Sequence, residues 1–202
     1  MSFYPFNTNV ARTAQTDIDP SVTTTLRSVV ECAIGSPVVA DVDRLLSAQA
    51  TSDSVVTTVT SFLAQPDVPR SISITPGGTT ADVPAGDVTI TGTDIADEVI
   101  TDTITFAANA STIGSTAKAF KTVTSVVFPV QDGASATYNV GVSDKLGLPD
   151  KLSLNTVIAT YLGGTREATA ATVTVSSTVL SANTVDPNSA LNSTAVVVLY
   201  AV

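Results

Sequence analysis

The sequence predicts an all-β protein, an antiparallel β-sandwich or barrel-like domain with an extended N-terminal arm. Short segments rich in Val, Ile and Thr recur along the chain, and Gly, Pro, Asp and Asn separate them. No long amphipathic helix and no alternating strand–helix pattern is present, which excludes an α/β fold. The 202 residues suffice for one sizeable domain, and we divide them into an arm over residues 1–44 and a β-sandwich domain over residues 45–202.

The surface is expected to be weakly charged. Charged residues make up 13% of the chain, against about 25% in an ordinary soluble domain. Thr, Ser, Val and Ala take their place, and a surface of this kind suits packing against neighbouring subunits. The formal net charge is −9, and the nine basic residues are scattered along the chain. Nucleic-acid binding needs clustered cations, so no nucleic-acid partner is predicted.

The sequence contains no recognisable membrane-spanning segment or secretory signal. No segment approaches the roughly 20 apolar residues that span a bilayer, so no membrane partner is predicted. The N-terminus lacks the basic and apolar regions of a secretory signal. The single cysteine, Cys32, excludes an internal disulfide framework and is expected to be a small buried hydrophobe. These features predict a soluble protein made in a reducing cytoplasm.

The stretch from Lys118 to Pro149 predicts a central pair of strands, the turn that joins them and a tight exit loop. Tyr138, Val140 and Val142 alternate with small or polar residues, the period of a strand with one buried face. The strand before them carries large apolar residues at both odd and even positions, and therefore on both of its faces. Turn residues at positions 131–134 separate the two strands. The whole stretch indicates a structural corner rather than a reaction centre.

Further strands are predicted on both sides of this pair. Pro76-Gly77-Gly78 is expected to turn the chain. Asp102 falls on the same strand face as its apolar neighbours, so it is expected to lie near a rim or an interface. Residues 195–202 are apolar on both parities, so this strand lies centrally in a sheet or meets a partner with its outer face. Residues 22–26 and 42–50 are interpreted as strands or extended chain. The remaining predicted strands cover residues 55–60, 71–75, 87–93, 98–106, 157–162 and 172–176.

No catalytic residue and no cofactor is predicted. The chain has no histidine, which removes the usual imidazole of a catalytic triad or zinc site, and a lone cysteine cannot form a CxxC pair. No phosphate-binding glycine loop and no nucleophile elbow is present. A carbohydrate-active enzyme would need a carboxylate pair and usually an aromatic platform, whereas aromatic residues are 5% and Trp is absent.

One group of carboxylates leaves a metal alternative open. Asp94, Asp97, Glu98 and Asp102 lie close in sequence, and their oxygens could bind Ca²⁺. They do not match the EF-hand loop, and an acidic turn rim is the commoner explanation. No metal ligand is therefore assigned.

Several stretches together resemble small structural proteins from the head gene clusters of tailed bacteriophages and prophages. The resemblance covers roughly residues 45–202, and DKLGLP after a KAF strand is its most distinctive part. It does not include residues 1–44. The stretches that carry it are Val68–Thr75, Asp87–Thr93, Lys118–Val123, Asp144–Pro149 and Asn188–Asn192.

The resemblance implies a virion protein, most plausibly a capsid decoration (cement) protein that binds the outer capsid surface and bridges capsomers. Its partners would be the major capsid protein and copies of itself, with a trimer as the expected oligomer. Phe3, Tyr4 and Phe6 are either part of a frayed terminus or anchors that dock on another subunit. The candidate subunit or capsid contacts are Phe3, Tyr4, Phe6, Arg12, Leu199 and Tyr200.

Three other functions compete with this hypothesis. A tail, baseplate or head-fibre subunit would share the same β composition. An Ig-like cell-surface binding module would predict an export signal and an anchor or repeat, and neither is recognised in the sequence. An enzyme is the least favoured because no catalytic constellation is recognised.

Overall fold

The computed structural model describes residues 13–15, 23–25 and 28–202, and it confirms the all-β antiparallel class. Within these residues two single-turn 3₁₀ helices, Thr80–Asp82 and Leu180–Ala182, interrupt the strands, and neither is long enough to cross a membrane. The strands are β1 Thr13–Gln15, β2 Thr23–Thr25, β3 Val29–Gly35, β4 Asp41–Ala50, β5 Thr57–Val59, β6 Arg70–Gly78, β7 Gly86–Thr93, β8 Val99–Phe106, β9 Gly114–Phe120, β10 Thr122–Phe128, β11 Ala136–Gly147, β12 Val157–Leu162, β13 Thr165–Arg166, β14 Thr172–Thr174, β15 Thr184–Asp186 and β16 Val196–Ala201.

The strands form three larger sheets and one small hairpin. Sheet I has the order β5-β10-β7-β8, sheet II has the order β14-β15-β11-β6-β9 with β4 also paired to β11, and sheet III has the order β13-β12-β16-β3. β1 and β2 pair only with each other among the described strands. Every described strand pair is antiparallel, including pairs of strands far apart in sequence such as β3 with β16.

Two hydrophobic cores lie between these sheets. The first core is filled by apolar residues of sheets I and II, and the second by residues of sheet III, of β15 and of the loops around them. The long strand β11 joins the two, because Val140 packs in the first core while Leu146 packs in the second. The alternation predicted for Tyr138, Val140 and Val142 is confirmed, since all three are buried.

The predicted central pair is not a pair of hydrogen-bonded neighbours. β10 pairs with β5 and β7 in sheet I, whereas β11 pairs with β4, β6 and β15 in sheet II. The chain already changes sheets between Phe120 and Thr122, where the amide of Lys121 donates to the carbonyl of Thr93 at 2.8 Å. Local alternation reveals which face of a strand is buried but not which sheet the strand joins.

A β-bulge explains the mixed parity of β10. The register against β7 shifts between Val123 and Ser125, so one extra residue is accommodated there. Val123 and Val126 are consequently both buried, although their separation in sequence would place them on opposite faces of a regular strand.

Two predicted turns prove to be strand. Pro76, Gly77 and Gly78 extend β6, where they pair with the start of β11. The predicted exit loop likewise continues β11 to Gly147, whose amide donates to the carbonyl of Pro69 at 2.7 Å. A Cβ on Gly147 would lie 2.8 Å from the Cβ of Ala119, so glycine is needed for this close approach.

The N-terminal part of the chain contributes more to the sheets than its predicted role as an arm implies. β3 pairs with β16 in sheet III, and the proposed boundary between residues 44 and 45 falls inside β4. Residues 28–44 therefore belong to the folded body, and β2 lies within the segment expected to be extended.

Candidate interaction surface

Sheet III presents an apolar face to the outside. Its central strand is β16, which pairs with β3 on one side and β12 on the other. The side chains of Val196, Val198 and Tyr200 point into the second core and are buried. Residues of the opposite parity, including Val197 and Leu199, are only partly buried. Of the two alternatives expected for the last strand, the pairing shows an inner position in the sheet; a partner on its outer face stays a prediction.

The strands on either side extend this face. Leu199 lies opposite Glu31 of β3 and Ala159 of β12, and partners in an antiparallel pair point to the same side. A bulge in β12 places Ile158 outward, with 53% of its surface exposed. We call this surface the outer face of sheet III, formed by Val29, Glu31, Ala33, Ile158, Ala159, Tyr161, Val197, Leu199 and Ala201.

The outer face is unusually poor in charge. β3, β12 and β16 together contain one charged residue, Glu31. Arg166 of β13 borders the face at the opposite edge, beside Tyr161. Val29 is 63% exposed. A contiguous apolar patch with a charged rim is typical of a surface that another polypeptide segment covers.

The edge of sheet III lacks the usual protection against strand addition. β3 is an edge strand in the described sheet, and its sequence, VVECAIG, contains no Lys, Arg or Pro. Natural edge strands commonly carry such residues because unpaired backbone groups invite another strand. The edge and the outer face together form the candidate interaction surface.

The sequence-predicted contact residues separate into three groups. Leu199 lies on the outer face and is partly buried. Tyr200 points inward and is fully buried, so its side chain belongs to the second core. Phe3, Tyr4, Phe6 and Arg12 lie outside the described residues.

The Tyr200 hydroxyl forms a hydrogen bond in the interior of the protein. It donates to Oδ2 of Asp150 at 2.5 Å, and burial, followed by this hydrogen bond, raises the pKa of Tyr200 far above its usual value. Cys32 is partly buried beside it, and burial raises the pKa of the thiol against the opposing effect of a hydrogen bond with Tyr200. Cys32 was expected to be buried, and it is only partly buried, with its side chain packed against the second core.

Arg70 forms a buried polar junction that sequence reasoning missed. Its side chain is fully buried, and its guanidinium donates from Nε to the Ser143 carbonyl at 2.7 Å and from Nη1 to the Val38 carbonyl at 3.0 Å. Nη1 also contacts Oδ1 of Asp67 at 3.0 Å, and Nη2 lies 3.6 Å from Oδ1 of Asp144. A buried guanidinium requires such partners, because an unpaired charge in the interior is costly.

The Asp67 carboxylate completes this junction. Its burial opposes ionisation, but hydrogen bonds from the Val38 amide, at 2.7 Å, and from Arg70 outweigh that effect and lower the pKa of Asp67. The only sequence signal was an arginine between Pro69 and the Ser71–Thr75 alternation. Nothing in that pattern separates a buried arginine from an exposed one.

Three of the four carboxylates that suggested calcium, those of Asp94, Asp97 and Asp102, have protein partners. Oδ1 of Asp94 accepts from the amides of Ala96 at 2.9 Å and Glu98 at 3.2 Å, which holds the turn. Asp97 has a φ of 64° and an ion pair with Lys121 at 2.7 Å. Asp102 lies on β8, is partly buried and accepts from the Lys118 amide at 2.9 Å. Residues 28–202 contain no group of three or more potential metal ligands.

Comparisons with known proteins identify no relative. No family model, no curated protein and no solved structure matches this chain.

Proposed function

We propose that this protein is a virion structural protein, a capsid decoration protein that binds the outer surface of a bacteriophage capsid and stabilises the shell by bridging capsomers. One observation carries the proposal. Three of the stretches behind the phage-head resemblance, Val68–Thr75, Lys118–Val123 and Asp144–Pro149, meet at the buried junction around Arg70.

The contacts at this junction are structural. Arg70 lies opposite Phe120 on β9 and opposite Leu146 on β11, so three strands from the three stretches are adjacent in sheet II. Their apolar side chains fill both cores, with Ile72 and Phe120 in the first core and Leu146 in the second. Val68 and Lys121 also line a surface groove beside the junction. This arrangement is expected when these stretches maintain a scaffold, as in a protein that acts by its shape and surface.

The surface properties support an assembling role. The outer face of sheet III is apolar, and the edge of β3 is open to strand pairing within the described structure. Decoration of a capsid repeats one modest contact at many symmetric sites, so that avidity compensates for low affinity at each site. The proposed partners are the major capsid protein and further copies of this chain, and the proposed location is the capsid surface after synthesis in the bacterial cytoplasm.

The test is to add the purified protein to capsids that lack it and to image the particles by electron cryo-microscopy. We expect regular additional density between capsomers or at local symmetry axes, and a higher temperature of capsid disruption. Capsids incubated with an unrelated acidic β-protein provide the control. Density confined to a tail or to one vertex would favour another virion component, and a lack of density would overturn the virion role.

A further inference from the structure

We infer that the open edge of β3 takes a second copy of this chain. The β3 strands of the two copies pair antiparallel across a two-fold axis at Cys32, and the two four-stranded sheets III become one continuous sheet. This pairing deepens the proposed function and rests on it, because it assigns the β3 edge to contacts between copies and leaves the outer face of sheet III to the capsid.

The backbone groups of β3 that point away from β16 follow from the pairing of these two strands. The amide of Ser28 donates to the Val202 carbonyl at 3.2 Å, and the amide of Val202 donates to the Ser28 carbonyl at 3.0 Å, so these residues form a hydrogen-bonded pair. Such pairs alternate with non-hydrogen-bonded pairs along an antiparallel ladder, and the register is regular from Val29 to Ala33. The amides and carbonyls of Val29, Glu31 and Ala33 therefore point to the free side, where none of the described strands pairs with them.

One register of the added strand overlaps the whole of β3. Full overlap of the seven residues Val29–Gly35 makes Cys32 its own partner and places Glu31 opposite Ala33 of the second copy. The free backbone groups of Glu31 and Ala33 then meet in hydrogen-bonded pairs, as antiparallel pairing requires. The neighbouring register, centred on Glu31, places two carboxylates directly opposite each other, and like charges in that position are destabilising.

The inward side chains of β3 leave the second core partly open at this edge. Val30, Cys32 and Ile34 pack against that core but are only partly buried. In the full-overlap register Val30 faces Ile34 of the second copy, and the two Cys32 side chains lie next to each other. Pairing therefore removes apolar surface from water on the inner side of the sheet and also satisfies the free backbone groups.

The contact is small, so the dimer is expected to be weak in dilute solution. Seven residues at about 3.3 Å give an edge about 23 Å long and one strand wide, which buries well under the ~800 Å² per partner of a stable interface. Each copy also carries a formal net charge of −9, and this repulsion opposes association at low salt. Contacts repeated over a shell compensate through avidity. Because each copy has one such edge, the pairing closes as a dimer, in contrast to the trimer implied by the resemblance.

The first test changes the charge at Ala33, which is exposed and faces Glu31 of the second copy. Sedimentation equilibrium of the full chain, over a range of concentrations at physiological salt, measures the dissociation constant of the dimer. Ala33→Lys should tighten the dimer about three- to tenfold, because two lysine–glutamate pairs form across the axis, and Ala33→Glu should weaken it by a similar factor. Thr103→Lys and Thr103→Glu, on the exposed face of β8, are the matched controls for net charge. A chain that is monomeric at every concentration, or Ala33 variants that behave like these controls, would overturn the inference.

The second test uses Cys32 to locate the axis. The Cα atoms of a non-hydrogen-bonded antiparallel pair lie about 4.5 Å apart, within the range of a disulfide. Diamide, which takes up the two electrons and two protons released by two thiols, should link two chains through Cys32. The comparison is Val99→Cys in a Cys32→Ser background, because Val99 is 76% exposed whereas Cys32 is partly buried. We expect faster linkage at Cys32 despite its lower exposure, and equal or faster linkage through Val99→Cys would overturn an axis at Cys32.

These measurements separate the pairing of two copies from the proposed function. Both use the free protein, so a monomer in solution would refute the β3 pairing and leave capsid binding to be decided by electron cryo-microscopy. Capsids without added density, together with a dimer that responds to the charge at Ala33, would instead overturn the virion role and retain the pairing.

Discussion

The rings of Phe128 and Tyr138 stack across the first core, with centroids 4.9 Å apart and planes inclined by 30°. Phe128 is the last residue of β10 and Tyr138 the third residue of β11, two strands that follow each other in sequence but belong to different sheets. Their contact therefore joins sheet I to sheet II. Tilted aromatic pairs of this kind contribute about 0.5–1.5 kcal/mol beyond the burial of their area.

The stack predicts opposite results for two substitutions at Tyr138. The hydroxyl is buried and forms no hydrogen bond with the described residues, so Tyr138→Phe removes a desolvated polar group and keeps the ring. We expect the free energy of unfolding to stay constant or to rise by about 1 kcal/mol. Tyr138→Ala should lower it by about 3–5 kcal/mol. Urea unfolding measures both, and a clear loss of stability in Tyr138→Phe would reveal a partner for the hydroxyl.

Replacement of Arg70 tests the buried junction. Arg70→Met keeps much of the volume but removes the arginine donor from Oδ1 of Asp67 and from two backbone carbonyls, at an expected cost of about 3–5 kcal/mol in the free energy of unfolding. Arg166→Met is the control, since Arg166 is exposed, and should change stability by less than about 0.5 kcal/mol. Thermal unfolding followed by circular dichroism compares the two, and equal midpoints would contradict the structural role of Arg70.

The lowered pKa of Asp67 predicts that the protein loses stability in acid. Its folded-state pKa is below the ordinary value, so the ionised carboxylate stabilises the folded state at any pH above the unfolded pKa. That contribution is lost as the pH falls through the lowered pKa. Asp67→Asn should therefore destabilise the protein at neutral pH and flatten the acid limb of the stability curve. Unfolding free energies measured from pH 2 to about pH 7 provide the comparison; parallel curves for the two proteins would contradict this prediction.

The raised pKa of Asp186 predicts the opposite pH dependence, a stability that falls as the pH rises. Burial, then the charges of Asp144 and Glu167, raises its pKa, with Lys145 in partial opposition. The folded state thus binds the proton more tightly than the unfolded state, and stability falls as the pH rises between the unfolded and the folded pKa. Asp186→Asn should stabilise the protein at neutral pH and leave it nearly unchanged in acid. Asp87→Asn, on the exposed face of β7, is the control. A variant that is less stable at neutral pH would show that the carboxylate has a favourable partner.

The predicted strands were accurate where alternation was regular. β7 and β8 lie where the pattern placed them, with Val88, Ile90, Ile104 and Phe106 buried. β10 departed from the pattern because a bulge changes the parity of its side chains. The Pro76-Gly77-Gly78 motif was assigned to a turn from its composition, yet Pro76 occupies β6 opposite Tyr138.

The candidate interaction surface was only partly visible in the sequence. The apolar residues at both odd and even positions of residues 195–202 indicated a strand covered on both faces. In the described structure one face of β16 is buried in the second core, and the other is part of the outer face of sheet III. The contribution of β3 was missed. Its exposed residues Val29 and Ala33 become part of one surface only when β3 pairs with the last strand, more than 160 residues away in sequence.

The sequence by itself determined the all-β class, the position of most strands and the buried parity of the regular ones, because side-chain alternation is a local property of the backbone. Only the tertiary structure decided that β10 and β11 join different sheets, that Arg70 is buried between Asp67 and Asp144, and that Tyr200 points inward. These features depend on contacts between residues distant in sequence. Strand pairing and core packing determine which distant residues come into contact. Side-chain alternation within one strand carries no information about that pairing.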